Sequence, residues 1–341
     1  MDLTIIIPTK NRPQFIKKQL IYYRNQDFKG NILFLDSSSK EIFNKTKKFI
    51  FKNNYTKTEI FNIEGTSFDT FKSKASKVST KYILFSGDDD FYIVKSLIKM
   101  IGNLEKSPKI IGITGKAFQI ETGGINNDKV LSYNFYNIRP SMHQNPLERL
   151  KKITENYSVV LFSILETQKF LEVVNRIPTS KKMHFTFQTE LLPCFLIVLS
   201  GRIKKINQLF LFRLVGHSRV QHKTWDQLKK NRFFNNSYLM SINIIINFIR
   251  IKKKNTKKIK SDVKDYIDSY FSHSNDIQQK NQYKKIFTKI ISRILRLCFG
   301  EYFYFKLKNY LYGNDAYQTL KNNSSYKKHF NYLKNNIIKN G

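Results

Sequence analysis

Ser86-Gly87-Asp88-Asp89-Asp90-Phe91, entered from the apolar run Tyr82-Ile83-Leu84-Phe85, is the stretch on which the reading of this 341-residue chain turns. Three adjacent carboxylates repel one another, so they persist in a folded protein only where a cation, hydrogen bonds or open water offsets the repulsion. The apolar run has the length of a buried strand and Gly87 marks a sharp exit, which puts the acids at the carboxyl end of that strand. Ligands of open α/β sheets collect at that edge. Oxygen donors of this kind suit Mg or Mn, typically held by one or two carboxylates with substrate phosphates completing the shell. The plain alternative is a solvated acidic turn, and the upstream residues bear on the choice.

Leu3 to Ile7 is apolar or β-branched throughout, the pattern of a strand covered on both faces, and Pro8 ends it. Thr9-Lys10-Asn11-Arg12-Pro13 then offers a polar loop, an Asn cap and a Pro suited to a first helical turn, before Phe15, Ile16, Leu20 and Tyr23 repeat at helical spacing. Asn31 to Asp36 is a second strand ending in an acid, with Ser37 to Ser39 placed to cap a helix from Lys40. A third strand falls near Glu59 to Ile63, a helix at Ser67 to Val78, and the strand Lys81 to Phe85 delivers the triplet. Strands alternating with helices predict an α/β fold with a mostly parallel central sheet flanked by helices. Further on, Val94 to Leu104 reads as helix, Ile110 to Ile120 as one or two strands, and Gln168 to Asn175 as helix. Thr186 to Leu199 reads as a partly buried helix carrying Glu190, and Arg202 to Leu214 as strand.

The chain carries 60 Lys and Arg against 25 Asp and Glu, a formal charge of +35. That favours anionic partners: nucleic acid, anionic lipid or phosphorylated substrates. The charge alone carries no specificity, because a source rich in Lys, Asn, Ile, Phe and Tyr produces it too. Cys194 and Cys298 lie far apart without metal-ligand spacing, which argues against a disulfide scaffold and for a reducing compartment. Met1 to Pro8 has no basic leader, and no stretch approaches the roughly 20 apolar residues of a spanning helix. The expected location is cytoplasmic.

Three features fall in order: Ile5-Ile6-Ile7-Pro8-Thr9-Lys10-Asn11-Arg12, Phe34-Leu35-Asp36-Ser37-Ser38 and Gly87-Asp88-Asp89-Asp90-Phe91. Together they resemble the start of family 2-like glycosyltransferases with the GT-A fold, well over the first 120 or so residues and more weakly to about residue 225. The resemblance implies a GT-A-like domain over residues 1–225, a mostly helical basic region over 226–341, and a nucleotide-sugar donor. It implies that Pro8, Thr9, Arg12, Asp36 and Asp88 contact the donor nucleotide. It further implies that Asp88 and Asp90 form a DxD element binding Mn or Mg, with His217 as an added metal ligand and His222 a weaker choice. Two departures mark a divergent member: Asp36 is followed by Ser37 rather than a second acid, and Phe71, Lys72 and Lys74 stand where Gly and Asn are common.

The chemistry fits those residue types independently. A diphosphate leaving group gathers negative charge, and a divalent ion or cations such as Arg12, Lys74 and Lys116 would offset it. An inverting transfer also needs a general base within reach of the acceptor hydroxyl. By family spacing Glu190 takes that role, with Glu166 and Glu172 behind it; each could equally be a surface acid, and Glu190 could serve only the helix dipole. Trp225 stacks on a sugar or packs at a domain junction.

The implied acceptor is a glycan or lipid-linked glycan of a surface polysaccharide. Lys284 to Cys298 alternates apolar and basic positions at helical spacing, which suits either an anionic membrane surface, and so a peripheral position on the inner face of the cell membrane, or packing on the catalytic domain. A sugar nucleotidyltransferase would share the sheet and the acids but needs a Gly-rich phosphate loop, and Pro8 to Pro13 has no Gly. A non-enzymatic binder of nucleic acid or membrane would use the +35 charge, yet it leaves the acidic triplet unexplained, and no zinc pattern or RNA-binding signature is present. Nucleic acid is therefore not the expected partner.

Overall fold

The computed structural model describes residues 1–53, 55, 57–122, 130–215, 225–249, 257–272 and 322–338. The amino-terminal half builds strand, helix, strand units: β1 (Leu3–Thr9), α1 (Pro13–Asn25), β2 (Asn31–Asp36), α2 (Lys40–Lys52), β3 (Thr58–Asn62), α3 (Ser67–Lys74) and β4 (Tyr82–Phe85). β3, β2, β1 and β4 lie side by side and parallel, with Thr9 opposite Asp36 and Ile6 opposite Phe85. Their apolar runs are continuous because both faces are covered: Ile5 and Ile7 point into one core, Ile6 into the other.

Beyond β4 the sheet becomes mixed. After β5 (Asp90–Tyr92) and α4 (Val94–Glu105) come β6 (Ile110–Thr122), β7 (Val130–Tyr136), α5 (Pro146–Glu155), β8 (Ile164–Glu166), α6 (Thr167–Arg176), α7 (Leu192–Ser200) and β9 (Arg202–Val215). The described strands form one sheet in the order β3-β2-β1-β4-β8-β6-β9-β5, with β7 added beside β6. β8 runs against both β4 and β6, which leaves β6 and its parallel partner β9 pointing the same way as β1. The stretch expected as one or two strands at Ile110 to Ile120 is a single long strand, pairing with β8 in its first half and β7 in its second.

The caps differ from expectation. Asn11 adopts a left-handed backbone (φ 55°), a conformation Asn tolerates, and Arg12 rather than Asn11 precedes the first helical turn, with no side-chain cap bond. Ser39 takes the position before α2, also without a side-chain cap bond.

The described segments after residue 225 complete the cores of the first part. α8 (Trp225–Lys229) leads into α9 (Arg232–Phe248), whose Phe234, Ile242 and Ile245 join Val263, Ile267 and Phe271 of the 257–272 helix, α10, against α7. On the opposite face α11 (Ser324–Leu333) and the turn after it bring Leu333, Ile337 and Ile338 into the core of β1, α1 and α4. Tyr326 Oη accepts the Leu209 N–H at 3.1 Å, which ties α11 to β9. Apolar faces of the later described helices thus fill both sides of the sheet. Lys284 to Cys298 lies outside the described residues. No described helix is long and apolar enough to cross a membrane.

Candidate active site

The carboxyl ends of β1, β2 and β4 meet at one edge of the sheet, and the polar groups expected there converge on it. Asp88 is 4% exposed and both its oxygens are taken: Thr9 Oγ1 donates to Oδ2 at 2.6 Å and Arg12 Nη1 to Oδ1 at 2.6 Å. Arg12 spans to Asp89 Oδ2 with Nη2 at 3.0 Å and lies over the Phe15 ring at 4.0 Å. Gln19, on the buried face of α1, donates Nε2 to the carbonyls of Asp88 and Asp90 at 2.9 and 2.6 Å, fixing the turn between them.

Asp90 is 1% exposed because β5 pairs antiparallel with β9, where it faces Arg213. Arg213 Nε donates to Asp90 Oδ1 at 3.1 Å, and its guanidinium sits 4.4 Å from the Tyr136 ring centre and 4.3 Å from that of Phe162. The Gly87 N–H donates to Asp90 Oδ2 at 3.2 Å. Burial, with the neighbouring Asp89 charge adding to it, pushes the Asp88 carboxyl up to about 7 against the opposing pull of Arg12 and Thr9. Burial likewise pushes Asp90 up to about 6, although Arg213 pulls the other way. For Arg213, burial opposes the charge but Asp90 outweighs it, so the guanidinium is held more firmly protonated than usual.

Asp36, at the end of β2, is 1% exposed. Its Oδ1 accepts from the Ser38 N–H at 2.9 Å and from the Ser38 hydroxyl, while Oδ2 is buried with no partner among the described residues. Asn62 Nδ2 bridges the Asp36 and Ser38 carbonyls at 3.1 and 2.9 Å, and Ser38 Oγ accepts the Asn11 N–H at 2.7 Å. Ser38 thereby joins the loops after β1 and β2. The orphaned oxygen is an acceptor waiting for an N–H or O–H donor, since a buried polar group without a partner costs free energy.

Glu190 lies in a π-helical turn, Phe187–Leu191, that opens α7; such turns recur at functional sites. Tyr157 Oη donates to Glu190 Oε1 at 3.0 Å. Tyr136 links this acid to the triplet: burial raises its hydroxyl to about 12, Arg213 pulls it down, and the charges of Glu190 and Asp90 both push it up. Glu166 pairs with Tyr82 at the opposite end of β4, and Glu172 is in a surface pair with Lys169. Lys74 and Lys116 lie over the Phe61 and Phe135 rings, at 4.6 and 5.9 Å. Pro8 is held in β1 opposite Leu35, one residue short of Thr9. His217 and His222 lie outside the described residues, as does the side chain of Trp225.

The triplet supplies the hard carboxylate oxygens that suit a divalent ion. All three acids accept hydrogen bonds, Asp88 from Thr9 and Arg12, Asp89 from Arg12, and Asp90 from Arg213 and the Gly87 N–H, and Asp89 Oδ1 and Asp90 Oδ2 flank Gly87. A Cβ there would stand 3.0 and 2.9 Å from them. Among the described residues no group of three metal-ligating side chains converges, so phosphate oxygens would have to complete the shell.

Arg213, Gln19 and Ser38 were not anticipated. Arg213 interrupts the apolar run Leu209-Phe210-Leu211-Phe212, and Gln19 interrupts the buried face Phe15, Ile16, Leu20, Tyr23, so a charge or amide inside an apolar period was the available signal. For Ser38 no such signal exists.

No family model and no curated protein matches the chain. Solved structures do match in shape. S. aureus TarS superposes with a TM-score of 0.50 at 14% identity over 80% of this chain, which spans 44% of that one. The crystal structure of TarS 1-349 gives 0.51 at 14% identity, covering 81% of this chain and 73% of that one. TarS 1-349 in complex with UDP-GlcNAc gives 0.50 at 13%, covering 80% and 73%. With its parallel β3-β2-β1-β4 edge, mixed second half and helices on both faces, the chain has a GT-A-like glycosyltransferase fold.

Proposed function

We propose that this protein is a family 2-like glycosyltransferase that moves a sugar from a nucleotide-sugar donor to a hydroxyl of a glycan or lipid-linked glycan acceptor, with inversion. The observation that carries the reading is the meeting of Thr9, Arg12, Asp36 and the acidic triplet on one edge of a GT-A-like sheet. TarS 1-349 has been crystallised with UDP-GlcNAc, so uridine diphosphate sugars head the list of donors.

In this reading the unpartnered Asp36 Oδ2 accepts from the nucleotide base or ribose. Thr9 and Arg12 hold Asp88 in place, and the Arg12 guanidinium adds positive charge beside the donor. Carboxylates of the Asp88-Asp89-Asp90 turn would hold Mg or Mn, which would supply Lewis-acid charge for the departing diphosphate. Glu190 is the general base: it takes the proton of the acceptor hydroxyl as that oxygen attacks the anomeric carbon from the face opposite the leaving group. Tyr157 fixes the Glu190 carboxylate by donating to Oε1. Acceptors of lipid-linked type suit a peripheral position at the inner face of the cell membrane.

Release of nucleoside diphosphate from a panel of nucleotide sugars, measured with a glycan and lipid extract as acceptor source, tests the proposal. One donor should be consumed with incorporation of its sugar, and Glu190→Gln should slow turnover by about 100-fold or more while leaving donor affinity unchanged. Turnover in Glu190→Gln equal to wild type removes Glu190 from the mechanism. A panel in which no donor is bound or consumed overturns the function.

A further inference from the structure

At the opposite edge of the sheet from the triplet lies a cavity of about 450 Å³, between the segment after β7, α5 and the end of α7. Ser141 bridges Ile203 near the start of β9, while Asp90 pairs with Arg213 near its end, so about 30 Å of strand separates the two places. The volume is in the range of small-molecule sites.

Its polar lining is Arg139, Ser141, His143, Arg149, Lys152, Asn156 and Ser158, rich in donors and without an acid. Arg139 and Lys152 stand exposed at the rim, and Ser141, Ser158 and Arg149 lie deeper. Ser141 pairs its backbone with Ile203, but its buried Oγ has no partner among the described residues. Ser158 Oγ accepts the Arg139 N–H at 3.0 Å, which leaves its hydroxyl proton to donate.

Arg149 is 5% exposed and makes no ion pair within the described residues. It donates instead to the carbonyls of Val198, Leu199, His143 and Gln144, closing the carboxyl end of α7. Burial and the nearby Arg202 charge both work against its protonated form. Lys205, just along β9, is opposed by burial and then by Arg139 and Lys116. Of the acids near Lys152, Glu155 pairs with it at 2.9 Å and the Glu148 charge also favours its protonated form. The region therefore carries more positive charge than its own acids offset.

We propose that this cavity is a phosphate-binding site, taking a phosphate group between Arg139, Lys152 and the Ser141 and Ser158 hydroxyls. Phosphate matches a donor-rich set with cations and no acid, and charge-assisted bonds from Arg and Lys are the strong kind. The apolar floor of Ile153, Val160 and Val198 accommodates an organic body attached to it. The site is independent of the donor edge and does not rest on the proposed transfer activity.

Calorimetry on the full chain at physiological salt tests it, with inorganic phosphate, a hexose phosphate and the unphosphorylated hexose as probes. Both phosphates should bind one site, the hexose should not, and Arg139→Gln/Lys152→Gln should weaken binding about 10-fold to 100-fold. Ser141→Ala, a smaller change on a buried group, should weaken it about 3-fold to 10-fold without loss of fold. Tighter binding of the hexose phosphate identifies a phosphate ester as the ligand, and equal binding identifies the free anion. Phosphate affinity unchanged in the double variant, or abolished by Asp36→Asn at the donor edge, overturns the proposal.

Discussion

Replacing Arg213 with Met removes the one cation that reaches Asp90 Oδ1 among the described residues and leaves a carboxylate that is 1% exposed to find another way to be satisfied. In the wild type Asp90 is pushed up to about 6 with Arg213 in place. Without that partner, burial and the Asp89 charge push its carboxyl further up. The sign follows from linkage: a raised carboxyl contributes stability that is complete below its unfolded value near 3.9 and is lost as pH rises through its folded value. The wild type stops losing near pH 6, having given up roughly 3 kcal/mol at 1.36 kcal/mol per pH unit. The variant goes on losing stability above that pH. The charge difference between them is therefore near zero below pH 5.5 and grows above pH 6 toward the roughly 3 kcal/mol that breaking a buried ion pair costs. For a chain of this size that is roughly 5 °C in melting temperature. Thermal melts across this pH range read it directly, and Arg213→Met/Asp90→Asn should melt with little added pH dependence. A constant deficit for Arg213→Met at pH 5.5 and pH 8, or no rescue by Asp90→Asn, would refute the reasoning and leave only lost packing against Tyr136 and Phe162.

Other consequences are equally open to measurement. Asp88 is raised to about 7 by burial, so stability of the free protein should fall from pH 5 to pH 8, and Asp88→Asn should flatten that slope in thermal melts. Gly87→Ala places a methyl against Asp90 Oδ2 and Asp89 Oδ1; it should keep the fold and lose the metal-dependent part of nucleotide affinity, read by calorimetry with Mn and with EDTA. Asp36→Asn replaces a carboxylate acceptor and should weaken nucleotide binding about 10-fold to 100-fold, whatever sugar is attached. An unchanged dissociation constant would place the base elsewhere.

The parallel half of the fold was legible in the chain because β1, β2 and β4 are apolar on both faces and each ends in a polar loop; no competing pattern disturbs those runs. β5, β7 and β8 were not. Asp90-Phe91-Tyr92 reads as the tail of an acidic turn and becomes a strand only because β9 lies beside it, a partner more than 100 residues away. The partners of the triplet were illegible for a related reason. All three carboxylates are equivalent in sequence, and only the fold brings Thr9 and Arg12 to Asp88 and Arg213 to Asp90. Arg213 left a trace as a charge in an apolar strand, but its partner did not. Likewise the helices after residue 225 announce amphipathic faces without saying that they fill both existing cores.

The central claim is that the edge formed by Thr9, Arg12, Asp36 and the acidic triplet binds a nucleotide together with a divalent ion. The direct measurement is calorimetric titration of nucleoside diphosphates and nucleotide sugars, uridine forms first, in Mn and in EDTA, on wild type and Asp90→Ala. Because no group of three metal-ligating side chains converges among the described residues, Mn alone should bind weakly, one nucleotide should bind tightly with Mn, and EDTA or Asp90→Ala should abolish that tight binding. Nucleotide binding that is indifferent to both EDTA and Asp90→Ala, or no binding by any nucleotide, would contradict the account.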